Sequence, residues 1–131
     1  MEINKMPANT ITRENIEIMV INFYKQVLKD EIVGPFFIAK LGDDMRNEYW
    51  EAHLKLLIDF WASIALNDVS YRGNPFAPHM YLGELSREVF EQWLKLFYIT
   101  LDEVYEPQIA NQFKERSSII AGNFMRNLGL L

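Results

Sequence analysis

The chain has 131 residues, a formal net charge of -5 and no cysteine; 50% of its residues are hydrophobic and 14% aromatic. That length suits one compact domain with a single core, so one domain is expected over 1–131, with residues 1–11 as a flexible N-terminal extension. The acidic balance lacks any Lys/Arg cluster and argues against nucleic acid as a partner, while the absence of cysteine excludes disulfides, thiolate metal sites and cysteine nucleophiles.

From Thr12 to about Leu28 the residues Ile16, Met19, Val20, Phe23, Tyr24 and Val27 mark one face, with Asn15, Glu17, Asn22, Lys25 and Gln26 mostly opposite, which predicts a first amphipathic helix. Asp30 to Pro35 breaks the pattern, and Pro35 opens a short turn that carries Phe36 and Phe37 back against that helix. Gly42, Asp43 and Asp44 mark the next turn, and a second long helix is expected from about Asp44 to Leu66. The stretch from Asn67 to Gly83 holds Gly73, Pro75, Pro78 and Gly83 and reads as loop with a short helical piece around His79. Ser86 can cap a third long helix whose buried stripe is Val89, Phe90, Trp93, Leu94, Phe97, Leu101 and Val104. Glu106 and Pro107 punctuate its end. Pro107 suits the first turn of a last helix bearing Ile109, Phe113, Ile120 and Phe124, with Gly129 as a stop signal. No strand, repeat or low-complexity segment emerges, so an all-α domain is expected, either an ordinary bundle or a globin-like sandwich. The opening MEINKMPANT has no apolar signal region and no run of about 18 apolar residues occurs, which predicts a cytoplasmic protein with no membrane association.

His53 and His79 are the only imidazoles. His53 shares a helical face with Trp50, Leu57, Trp61 and Ile64, so its ring is expected to point inward, where burial demands a partner. His79 lies in NPFAPHMYLGEL, on a short segment from which its ring projects toward whatever lies beneath. Two such histidines can flank a flat cofactor from opposite faces. Haem iron uses a neutral imidazole on one side and leaves the other open to a diatomic ligand, which makes His79 the proximal candidate. Each residue also has a plainer reading: His79 as a loop histidine, Tyr24 as a core tyrosine, and Trp93, Trp61 and Phe37 as core rings. A buried Tyr24 hydroxyl or Trp93 indole N–H nevertheless needs an acceptor. Other chemistries lack their residues. No GxGxxG, Walker or nucleophile-elbow pattern is present, and Glu48, Glu51 and Asp59 near His53 form no E-x-x-H or H-x-x-x-H spacing.

Four elements occur in an ordered set over roughly residues 12 to 128: the pair Phe23-Tyr24 ahead of KDEIVGPFF, the segment EYWEAHLKLLIDFW, the turn from Pro75 to Met80, and FEQWLKLF. On these the chain resembles the truncated haemoglobins, and within them the third group, found in bacteria. The resemblance implies a shortened globin fold, two helices stacked on two, around haem b (iron protoporphyrin IX). It implies that His79 supplies the proximal bond to iron, with Met80 next to it in the turn. It places Tyr24, His53 and Trp93 in a distal pocket that stabilises the ligand, Phe37 on the haem edge, Trp61 on the long distal helix, and Phe23 beside the cofactor with Tyr24. Two departures stand out. The glycine-rich turns of other truncated haemoglobins are missing, as is typical of the third group. Pro78 replaces a basic side chain before the proximal histidine, leaving Arg72 and Tyr71 as the nearest suggestions for propionate partners.

Three functions stay open at this level: a haem protein binding O2 and other diatomic gases (NO, CO), a haem redox enzyme acting on nitric oxide or peroxide with a separate reductase, and a cofactor-free helical interaction module. A monomer is expected. His53 either binds the iron or gates the pocket.

Overall fold

In the computed structural model, which describes residues 7–66 and 85–130, the first helix, α1 (Arg13–Lys29), begins directly after Thr12. The Thr12 hydroxyl accepts from the Asn15 amide at 3.1 Å and Asn15 Oδ1 accepts from the Thr12 amide at 3.0 Å, so two amides at the helix start are satisfied reciprocally. Asp30 ends the helix. Its carboxylate accepts from the Val33 and Ile32 amides at 2.8 and 3.0 Å and from Gln92 Nε2 at 2.8 Å. Partial burial pushes this carboxyl up, but those bonds together outweigh it and hold Asp30 below the ordinary carboxylate range.

The expected turn at Pro35 is a helix, α2 (Gly34–Leu41), with the proline in its first turn. Gly34 makes the tight corner possible: a Cβ there would stand 2.7 Å from the Val27 carbonyl oxygen. Gly42 ends α2 at φ 88°, a conformation suited to glycine. The second long helix, α3 (Glu48–Leu66), starts four residues later than Asp44. Asn47 is the reason, because its Oδ1 accepts from the Trp50 amide at 2.8 Å while its Nδ2 donates to the Leu41 carbonyl at 2.7 Å. Asp44 instead folds back on Arg46.

Ser86 caps α4 (Arg87–Val104) by accepting from the Val89 amide at 3.3 Å, and Pro107 opens α5 (Pro107–Asn127). α1 packs against α2, α3 and α4, and α4 packs against α5, which gives two helix pairs, α1 with α3 and α4 with α5, joined through α1 and α4. This is the two-on-two arrangement. Among the described residues the only β-structure is a single bridge between Ala8 and Tyr105. The Ala8 amide donates to Val104 at 2.8 Å and its carbonyl accepts from Glu106 at 2.9 Å, so part of the stretch expected as an N-terminal extension is bonded to the joint between α4 and α5. The Tyr105 hydroxyl adds a 2.8 Å bond to Asn15 Oδ1.

The core is aromatic and nearly continuous, with Phe23, Tyr24, Phe37, Trp50, Trp61, Phe97, Tyr105 and Phe113 all buried. Its one buried carboxylate among the described residues, Asp59 on α3, is bonded by Arg13 and Lys55. The Lys55 bond first and the Arg13 bond second hold the Asp59 carboxyl below its ordinary range. No described helix is long and apolar enough to cross a membrane.

Candidate functional site

Phe23 and Tyr24 are neighbours on the buried face of α1, and their rings lead into two different aromatic groups. Tyr24 meets Phe37 of α2 at 5.3 Å between ring centroids, and Trp50 and His53 of α3 at 5.4 and 5.0 Å. All three contacts are edge-to-face, the geometry that aromatic quadrupoles favour. Helical spacing explains the α3 pair. Trp50 and His53 are three residues apart, one turn on the same face, and their rings lie 5.5 Å apart. Trp50 is locked by its indole N–H, which donates to the Gly42 carbonyl at 2.7 Å. The positive-φ turn after α2 therefore sets the ring against which His53 rests. His53 Nε2 is itself buried.

Tyr24 is only 3% exposed, and burial alone raises its phenol far above the ordinary tyrosine range. The hydroxyl thus stays protonated, available as a donor within a packed interior.

The second group starts at Phe23, which contacts Trp93 and Phe97 of α4 edge-on at 5.5 and 5.1 Å. Trp93 and Phe97, four residues apart, lie almost parallel, with centroids 5.5 Å apart and planes at 20°. Phe97 in turn stacks on Trp61 of α3 at 5.3 Å and 24°. Trp93 and Phe37 also line one apolar cleft, with Val33 just before α2, Phe36 from α2, Val89 and Phe90 from α4, Phe124 from α5, and Leu85. The cleft is walled entirely by flat rings and branched aliphatics, the kind of surface an apolar group packs against, and Tyr24 touches it through Phe37. Among the described residues no group of His, Asp and Glu is placed to hold a bare metal ion.

Of the residues singled out from sequence, the structure brings Phe23, Tyr24, Phe37 and His53 into one cluster and places Trp93 at its border through Phe23, while Trp61 joins through Phe97. His79 and Met80, with Arg72 and Tyr71, lie outside the described residues. Sequence reasoning left Trp50 and Phe97 as ordinary core. Their signal was present: Trp50 lies one turn before His53 and Phe97 one turn after Trp93, each on the same face.

No protein-family model matches the chain. The group 3 truncated hemoglobin ctb of Campylobacter jejuni is 35% identical over 123 residues, a match that spans 94% of this chain and 95% of that protein. The crystal structure of the group III truncated hemoglobin from Campylobacter jejuni superposes with a TM-score of 0.87 at 35% identity, again over 94% of this chain and 95% of the other.

Proposed function

Because the chain belongs to the group III truncated haemoglobins, we propose that it is a haem-b protein that binds O2 and other diatomic ligands in a polar distal pocket. The observation that carries the reading is Tyr24: a buried phenol, kept protonated, packed edge-on against His53 and flanked through Phe23 by Trp93. Haem, when bound, supplies the iron at which O2, NO or CO coordinates. His79 is the histidine assigned to hold it, and the cleft walled by Phe37, Val33, Val89 and Phe90 is assigned to its apolar face.

The chain's own residues then set retention. Tyr24 O–H and Trp93 N–H can only be useful here as donors, and a guest with a partly negative terminal atom accepts from both. Hydrogen bonds to charged acceptors are each worth about 1.5–3 kcal/mol, so each donor slows escape by about tenfold or more. Such retention does not suit oxygen transport. His53 packs on Tyr24, Trp50 and Phe37 at once. It orients the Tyr24 ring and, by swinging, gates the pocket. His53→Leu is expected to change ligand entry and release rates; unchanged rates remove the gate.

The site holds no flavin or nicotinamide motif in its sequence, so a separate protein or small molecule must restore ferrous iron. An absorption spectrum of ferric, ferrous and carbon-monoxide-treated protein tests the whole reading. A Soret band that shifts with ligand and is lost or altered in His79→Gly is expected. No band, even after hemin is added, overturns it.

A further inference from the structure

We propose that a small pocket beside Trp61 is where an anionic one-electron reductant docks, and that Trp61, Phe97 and Trp93 carry its electrons to the haem pocket. The proposal rests on the haem reading above and names the route by which that site is re-reduced during peroxide turnover.

The three rings form a single column. Trp93 and Phe97 stack at 5.5 Å and 20°, and Phe97 and Trp61 at 5.3 Å and 24°. Phe97 is 1% and Trp61 3% exposed, so the middle and one end of the column are buried, while Trp93 at the other end is half-buried beside the cleft. Its two ends are indoles, side chains that can give up an electron, and its middle is a phenyl ring that cannot at ordinary biological potentials. That is the composition of a two-station relay with a spacer. One station, Trp93, lines the apolar cleft assigned to the cofactor. The other, Trp61, forms a wall of a separate pocket of about 140 Å³ between α3 and α5, where Phe113 meets it edge-on at 5.7 Å.

The mouth of that pocket is polar. Gln112 and Arg116, one turn apart on α5, both line it and both are exposed. Among the described residues Arg116 pairs with no carboxylate, and its exposed guanidinium lines the pocket. A cation and an amide over a floor of two aromatic rings suit a small planar anion such as an enediol monoanion. A cavity of about 150 Å³ holds one benzene-sized ring, which matches this space.

The stoichiometry closes. Reducing one hydrogen peroxide to two waters in the haem pocket consumes two electrons and two protons. Each electron leaves Trp93, is replaced from Trp61, and is replaced there by one reductant molecule. Two enediol monoanions are thereby each oxidised by one electron to a radical anion and each release their remaining enediol proton to solvent, while two protons are taken up from solvent at the peroxide.

The test uses haem-loaded protein, with loading established from its Soret band. It is exposed to hydrogen peroxide with and without ascorbate, and each indole is read by peptide mass spectrometry for hydroxytryptophan and kynurenine. Oxidation is expected at Trp61 as well as Trp93, with ascorbate suppressing it at Trp61. In Trp93→Phe the oxidation of Trp61 is expected to fall several-fold, and in Trp61→Phe that of Trp93 to rise. Arg116→Glu should raise the ascorbate concentration needed for protection several-fold. An untouched Trp61 in the unaltered chain, or one oxidised equally in Trp93→Phe, overturns the relay. Ascorbate protection unaffected by Arg116→Glu overturns the docking site. A protein that takes up no haem instead fails the haem reading, so the two failures are told apart before peroxide is added.

Discussion

The two aromatic groups that diverge from Phe23 and Tyr24 are built from the same residue types yet pack in opposite ways. Around Tyr24 the rings of Trp50 and His53 meet at steep angles, 63° and 79°, with ring edges packed against ring faces. Around Phe97 the rings lie at 20° and 24° and make a column with its faces closed. Edge-on packing leaves the Tyr24 hydroxyl and the His53 imidazole at ring edges, where polar atoms act; stacked packing covers the π-faces against one another. The difference follows from where the rings originate. The first group gathers residues from α1, α2 and α3, whereas the column takes Trp93 and Phe97 from α4 and only Trp61 from α3.

Cutting the column should have the largest effect on stability. Phe97→Ala removes the middle ring from a fully packed core and is expected to cost about 3–5 kcal/mol, measured by chemical denaturation. Tyr24→Phe keeps the edge-on ring but removes its donor. It should speed ligand release by about tenfold or more in flow-flash kinetics while barely moving the denaturation midpoint, because burial of the phenol is no longer required. An equal loss in both measurements would mean that the two groups do not divide the work as described. Trp50→Phe breaks the bond to the half-buried Gly42 carbonyl, at a cost of about 0.5–1.5 kcal/mol, with a change in the His53 ring environment seen by NMR.

The smallest effect at neutral pH separates the groups by titration. Burial raises the phenols of both Tyr24 and Tyr105 in the folded chain, so each contributes stability that is fully present below the unfolded tyrosine value near 10 and is lost as pH rises above it. Each adds a slope of about 1.4 kcal/mol per pH unit in that alkaline window. Tyr24→Phe should roughly halve the slope, while leaving the pH dependence below 10 unchanged.

Much of this was legible in the residues. Thr12, Ser86 and Pro107 marked helix starts because capping and proline geometry are local. The grouping of Tyr24 with Phe37 and His53 came from the resemblance to the truncated haemoglobins; the residues alone showed only inward-facing rings on separate elements. The short α2 read as a turn because eight residues hold too little periodicity to declare a helix, and the start of α3 was placed early because Asn47 works through the Leu41 carbonyl, a contact that the chain makes only once folded. Trp50 and Phe97 escaped for a related reason. A buried ring announces burial in sequence, but which neighbour it stacks on, and at what angle, is decided by helix packing.

The bridge at Ala8 carries a consequence for how the molecule opens. Ala8, five residues ahead of the first helix, is strapped to the α4–α5 joint, and the Tyr105 side chain at that joint reaches the Asn15 side chain that closes the first turn of α1. The start of the chain and its last helical corner therefore loosen together. In native-state hydrogen exchange the Ala8 amide should share the protection of Tyr105 rather than that of a free end, and deleting residues through Ala8 should release both at once.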